Sequence, residues 1–310
     1  MSVTVTNGAS GPEYVDRSPG TGVMSDDEIF ARRDKLYELI CACDVPAIRD
    51  FFSEPPAKEV MDEIVDKVLR YVMTHCKADG GPGKDSVDVL KALLEYLPYE
   101  ALNGCDDVGM NPLMYAAQEN RAELARVLVD TGASRWWADH HGRTALFYAA
   151  ISDAVDVIKV LLGFESSRGI DARSDEGSTA FGTAVSHGSL AAAEALLEKG
   201  ANINATNNLG ETPLIRSVTG EANRKKLVSG DTSVVQWLID KHARLDDTDR
   251  YGRTALHQAV VNNDVPVARI LLDAGASYTI KDGAGKDAAA LAAVQGDEMQ
   301  NLFMQYTRSR

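Results

Sequence analysis

The stretch Asp249-Arg-Tyr-Gly252-Arg-Thr254-Ala-Leu256 decides the fold, because the chain writes it six times. Upstream stand Asp106-Asp-Val-Gly109-Met-Asn-Pro112-Leu113 and Asp139-His-His-Gly142-Arg-Thr144-Ala-Leu146. Ser174-Asp-Glu-Gly177-Ser-Thr179-Ala-Phe181 and Asn207-Asn-Leu-Gly210-Glu-Thr212-Pro213-Leu214 follow, and Asp282-Gly-Ala-Gly285-Lys-Asp-Ala-Ala closes the series. The glycines lie 33, 35, 33, 42 and 33 residues apart. A repeat of this period marks a stacked array, whose units bury their apolar faces only against one another.

Each position in the copy has a physical reason. Glycine supplies positive φ, or room for close backbone approach, in a tight turn. An Asp or Asn three residues earlier is short enough to accept hydrogen bonds from the turn's own amides. Thr two residues after the glycine is a helix N-cap, and the Pro or Ala behind it suits the first helical turn. Leu and Ala then recur at helical spacing, as in Leu113/Ala116/Ala117, Leu146/Ala149/Ala150 and Leu256/Ala259/Val260. A second helix is marked by Leu124/Leu128/Val129, Leu196/Leu197 and Val267/Ile270/Leu271/Leu272. These end in Gly132-Ala133, Gly200-Ala201 and Gly275-Ala276, a helix-stop signal. One unit is therefore a turn, a short helix, a second helix, Gly-Ala, and an extended finger leading to the next turn.

This pattern resembles the ankyrin-repeat family, whose unit reads roughly D-x-x-G-x-T-P-L-H-x-A-A and then G-x-x-E-V-V-x-x-L-L-x-x-G-A. The resemblance covers residues 101–310. It implies an all-α ankyrin-repeat solenoid of about seven to eight stacked helix-turn-helix units with finger loops. Three departures stand out. The unit from Gly210 carries an insertion at 220–229 that includes Arg224-Lys225-Lys226. The unit from Gly142 has Gly163-Phe-Glu-Ser-Ser-Arg168 in place of Gly-Ala, and the unit from Gly285 lacks the Thr-Pro-Leu start, as a terminal cap does.

Residues 1–24 are rich in Gly, Ser, Thr and Pro without apolar period, and read as a disordered tail. Within it, Ser18-Pro19 could serve a proline-directed kinase. Ser25-Asp-Asp-Glu28 reads as a capping box opening a helix. Residues 25–100 read as two degenerate units. Leu36 to Phe52 form one helix pair, with Cys43-Asp44 where the family has Gly-Asp or Gly-His. Ile64/Val68/Leu69/Val72 and Val89-Leu90/Leu93-Leu94 form the other, around a Gly-rich loop at 77–85.

Acidic residues outnumber basic ones 46 to 32, a formal charge of −14. Such a chain is repelled by phosphate backbones, so nucleic acid is not an expected partner. Basic proteins are favoured on electrostatic grounds; the alternative is that the charge serves solubility alone. No apolar run approaches the ~20 residues of a membrane helix. The first residues lack a secretory signal, which makes the cytoplasm the default compartment with the nucleus open. Four cysteines, Cys41, Cys43, Cys76 and Cys105, do not make a disulfide framework.

The sequence carries no recognisable catalytic motif. Gly80-Gly-Pro-Gly-Lys84-Asp85 lacks the Ser or Thr that a phosphate loop needs after Lys, and Gly283-Ala-Gly285-Lys286-Asp287 fails likewise. The histidines His75, His140, His141, His187, His242 and His257 form no HExxH, and Cys41-Ala-Cys43 has no second pair at zinc spacing. Cys41 reads as a small core residue. His257 occupies the family's Leu-His position, where the resemblance implies turn hydrogen bonds between units. There is no nucleophile elbow or kinase signature. No catalytic residue, cofactor or metal ligand is expected, and the chain is not read as an enzyme.

By resemblance, the binding surface is the concave face built from fingers and first helices. One finger reads Arg135-Trp136-Trp137 where others have Asn204-Ala205 and Asp246-Asp247. Trp and Arg dominate binding hot spots, and an exposed Trp pair needs a reason. The alternative is that one Trp packs over the neighbouring unit or the Phe164 loop. Met110, Met114, His141, Arg143 and Phe147 would extend this patch, and Glu211, Tyr251 and Arg253 would continue the groove, whereas Tyr148 reads as core. Asn204 stands at the finger position that asparaginyl hydroxylases modify in the family. The reading is a scaffold or adaptor, monomeric alone, that binds another protein through a preformed face. The alternatives are an acidic assembly chaperone for a basic client, or a regulatory or targeting subunit of a kinase or phosphatase.

Overall fold

The computed structural model describes residues 25–53, 58–75, 84–163, 169–219 and 232–308. These residues form sixteen α-helices that associate as consecutive pairs. The pairs are α1 (Asp26–Cys41) with α2 (Val45–Ser53), α3 (Lys58–His75) with α4 (Lys84–Leu94), and α5 (Pro112–Gln118) with α6 (Ala122–Thr131). Next come α7 (Ala145–Ile151) with α8 (Val155–Leu162), α9 (Ala180–His187) with α10 (Leu190–Glu198), and α11 (Pro213–Thr219) with α12 (Ser233–Asp240). The last are α13 (Ala255–Val261) with α14 (Val265–Asp273), and α15 (Ala288–Ala292) with α16 (Asp297–Arg308). First helices stack on first helices from α1 through α15, and second helices stack likewise, as α2 on α4, α4 on α6 and α6 on α8. The expected solenoid is what forms.

Helices as short as α5, α7 or α13, seven residues each, do not persist alone in water. Packing holds them: α7 buries Ala145 through Ala150, six of its seven residues. Their starts are fixed as the sequence predicts. The side-chain oxygens of Asn111, Thr179, Thr212 and Thr254 each accept the amide three residues on. Gly132 ends α6 with φ 108°, a left-handed cap.

The two N-terminal pairs obey the same logic with longer first helices, 16 residues in α1 and 18 in α3. Ser25 and Glu28 close a capping box, and Leu36, Ile40, Ile48, Ile64, Val68 and Leu69 are fully buried. Cys41 departs from its reading: the thiol is exposed at the end of α1, with Sγ 3.1 Å from the Tyr71 hydroxyl. Position 41 lies about 100° around the helix from Ile40, off the Leu36/Ile40 core stripe, so it escapes burial. The tail 1–24, the Gly-rich loop up to residue 83, the Phe164 loop and Arg224-Lys225-Lys226 lie outside the described residues. No described helix is long and apolar enough to cross a membrane.

Candidate protein-binding face

Five of the six finger turns are closed by their own Asx residue, the turn of Gly177 having Ser174 in that place. One carboxylate or amide oxygen of Asp106, Asp139, Asn207, Asp249 and Asp282 accepts the amides two and four residues later, at 2.8–2.9 Å. Adjacent fingers are joined through the residue before each turn glycine. His140 N donates to Val108 O, Asp175 N to His141 O, Asn208 N to Glu176 O, Arg250 N to Leu209 O, and Gly283 N to Tyr251 O. The fit leaves no space for a side chain. A Cβ on Gly210, at φ +76°, would stand 2.9 Å from Arg250 N.

A second ladder runs behind the turns. Six residues before the turn glycine in four units, another short acceptor takes the amide that follows the neighbouring unit's second helix. Ser134 N donates to Asn103 Oδ1 at 3.0 Å, Asn202 N to Asp171 Oδ1 at 3.0 Å, Arg244 N to Asn204 Oδ1 at 2.9 Å, and Ser277 N to Asp246 Oδ1 at 2.8 Å. In the finger before Gly142 this register position is Trp136, which offers no acceptor. Its ring instead lies against Gly169 of the next unit, where a Cβ would come within 2.5 Å of Cζ3. Trp136 and Trp137 each remain 40% exposed. Trp136 thus packs on the neighbouring unit, as one of the two readings expects, and still faces solvent.

The other expected residues divide by burial. His141 is exposed and Tyr251 is 50% exposed. Arg143, Arg253 and Glu211 are half-buried. Phe147 (1% exposed) and Met114 (0%) lie in the core, and Met110 (8%) is nearly enclosed. Their placement on an exposed patch is corrected accordingly. A seven-residue helix enclosed by two neighbouring first helices, its own second helix and the fingers keeps almost no outward side.

Arg143 is fixed by the turn below it. Its Nε donates to Asp139 Oδ2 at 2.8 Å, Tyr148 Oη donates to the same oxygen at 2.6 Å, and the guanidinium lies over the Tyr148 ring. Burial pushes the Asp139 carboxyl up, but the Tyr148 hydroxyl, the Arg143 and His141 amides and the Arg143 guanidinium together hold it below its ordinary value. Burial and that carboxylate drive the Tyr148 phenol up. Arg253 repeats the arrangement on Asp249 at 2.9 Å. Arg250 and Arg253 both lie 4.8 Å from the Tyr251 ring centre. Glu211 accepts from Asn207 Nδ2 at 2.8 Å, which holds it on its own finger.

Sequence reasoning passed over Val108 and Leu209, exposed apolar residues at the same turn-tip position as His141 and Tyr251. The signal was available, because each stands directly before a turn glycine. His257 fulfils its expected part: Nδ1 meets the Thr254 hydroxyl at 2.8 Å, and Nε2 lies 3.3 Å from the Lys286 carbonyl in the next unit.

Two models of ankyrin repeats match the chain, one over residues 83–173 and 226–282 and the other over 183–225. The chain belongs to the ankyrin-repeat family. This ankyrin array is 31% identical over 180 residues to the B-cell lymphoma 3 protein homolog of Mus musculus, a match covering 57% of the chain and 38% of that protein. It is 28% identical over 229 residues to the nuclear factor NF-kappa-B p105 subunit of Gallus gallus, covering 72% of the chain and 22% of that protein. The putative ankyrin repeat protein YahD of Escherichia coli (strain K12) is 26% identical over 176 residues, covering 56% of the chain and 85% of that protein. The chain thus spans well under half of the first two relatives. Among solved structures it resembles the ankyrin repeat domain of Bcl-3, with TM-score 0.60 and 23% identity over 79% of the chain and 96% of that domain. The human ASB11 ankyrin repeat domain gives TM-score 0.56 at 24% identity, over 71% of the chain and 92% of that domain. At such identities the likeness concerns the fold.

Proposed function

We propose that this ankyrin array is a non-catalytic scaffold that holds a partner protein against its fingers and first helices. The observation that carries the reading is Trp136, a half-exposed indole at a register position where four other units keep an inter-unit acceptor. An array built only for stability has no use for that exchange. Trp, Tyr and Arg are the residues that dominate interface energetics, and the fingers present Trp136, Trp137, Tyr251, Arg143 and Arg253 on a fixed frame. Two ladders of hydrogen bonds hold that frame before a partner arrives, so little ordering entropy is lost on binding. The net charge of −14 acts at long range on encounter and does not choose the contacts.

The test compares wild type with a Trp136→Asn/Trp137→Ala variant as immobilised bait, followed by titration of the retained protein against both. The scaffold reading predicts at least a tenfold loss of affinity in the variant at matched folding, the scale of a hot-spot truncation. Equal affinity for both proteins would remove this face from the account.

A further inference from the structure

In three fingers the side chain two residues before the turn glycine folds back over the preceding turn: His140 over Gly109, Asp175 over Gly142 and Asn208 over Gly177. Arg250 holds that position in the next finger, and the atoms nearest Gly210 are instead backbone atoms of Asp249 and Arg250. Its guanidinium turns to Tyr251, with Nη2 donating to Oη at 2.7 Å and Cζ 4.8 Å from the ring centre. Arg253 lies over the same ring, also at 4.8 Å. The two arginines differ in their partners. Arg253 is paired with Asp249, whose carboxylate is buried. Arg250 is exposed and forms no ion pair among the described residues. Its remaining N–H groups are open to the two-pronged bond that a guanidinium makes with a carboxylate.

Apolar surface adjoins this cation. Leu209, at the tip of the preceding finger, is exposed, and its carbonyl accepts the Arg250 amide at 2.9 Å. The following finger carries Gly283 and Ala284 at its tip, too short to cover Tyr251, which stays half-exposed. The nearby carboxylates are turned to the backbone. Asp246 holds Ser277 N, Asp249 the Tyr251 and Arg253 amides, and Asp282 those of Ala284 and Lys286. Asp247 faces Arg244 at 3.9 Å. We propose that this tip seats an acidic segment of the partner, with a carboxylate side chain clamped by Arg250 and an apolar neighbour laid on Leu209 and Tyr251. The net charge of −14 opposes an acidic partner at long range. At contact range the charges nearest the Tyr251 ring are those of Arg250 and Arg253, and only Arg253 is already neutralised. A nucleic-acid strand meets the same repulsion along its whole length, which favours a short acidic peptide. This inference rests on the finger face being the binding face, and it names what that face takes.

The test is an NMR titration of the full chain, followed at the Arg250, Tyr251 and Gly283 amides and at the Arg250 Nε–H. The probes are the capped peptide acetyl-Asp-Phe-Asp-Leu-amide, its form with asparagine in place of both aspartates, and a single-stranded thymidine octanucleotide. The acidic peptide moves these resonances, and the asparagine form binds about fivefold more weakly, the scale of a well-formed exposed ion pair. Arg250→Gln weakens the acidic peptide by the same factor. That variant keeps the fold, since the side chain is exposed and bonds only the Tyr251 hydroxyl, and an unchanged melting midpoint is its control. The inference is overturned if no peptide moves these resonances, if the asparagine form binds equally, or if Arg250→Gln changes nothing. An oligonucleotide bound at the tip as tightly as the acidic peptide overturns the choice of partner. A partner that Arg250→Gln retains and Trp136→Asn/Trp137→Ala loses removes this tip from the account and leaves the scaffold reading in place; retention by both variants removes the scaffold reading itself.

Discussion

Trp136 rests on Gly169 of the next unit so closely that a methyl group at residue 169 would stand 2.5 Å from its ring. The contact crosses the unit boundary that Asx residues bridge elsewhere, so the array trades a hydrogen bond for an aromatic contact at this one place.

Gly169→Ala tests that contact. Gly169 adopts φ +76°, which any side chain resists, and the new methyl displaces the indole. The variant is expected to lose about 1–2 kcal/mol in urea denaturation, with a red shift of tryptophan emission as Trp136 moves toward water. Unchanged emission and stability would mean the ring does not seat there in solution.

The pH dependence of stability follows from the turn carboxylates. Asp106, Asp139 and Asp282 are all held below their ordinary values, so the stability they contribute is present above a pH of about 4 and lost as pH falls through their folded values. Tyr115 and Tyr148 are raised, so their contribution is intact below a pH of about 10 and lost as pH rises toward their folded values. Melting midpoints across pH should fall at both ends. Asp139→Asn should flatten the acid limb and cost about 3 kcal/mol at neutral pH, because it breaks a buried pair while Tyr148 and the turn amides stay in place. A variant as acid-sensitive as wild type would deny Asp139 this part.

His257→Leu probes the coupling between units. The change keeps the volume buried but removes the links to Thr254 and to Lys286 O. A loss of about 1–2 kcal/mol is expected, together with faster amide exchange at the turn from Asp282 to Lys286. Exchange confined to the unit of His257 would show that this bridge does not couple neighbours.

Most of the fold could be read from the sequence because its rules are local. The Asx-to-glycine spacing, the Thr caps and the Gly-Ala stops each answer to a hydrogen bond or a φ angle within a few residues. What escaped was set by neighbours distant in sequence. Phe147 and Met114 looked like groove residues, yet α7 and α5 are enclosed by the stack, and no helical period tells which side of a seven-residue helix meets another unit. The role of position 136 needed the register of five fingers and the inter-unit bonds together, since a single Asn204 or Asp246 does not reveal a ladder. Val108 and Leu209 were legible by position, and were passed over because turn tips are expected to be polar.

The claim at the centre of this account is that Trp136 stands on the fingers for a partner and not for the fold. The most direct measurement is the denaturant stability of Trp136→Asn against wild type. Asn restores the short acceptor that four other fingers keep at this register position, so the account predicts stability equal to wild type or higher by about 1 kcal/mol. A loss of about 3 kcal/mol, the scale of removing a buried aromatic side chain, would show that Trp136 belongs to the packing of the array and would contradict the claim.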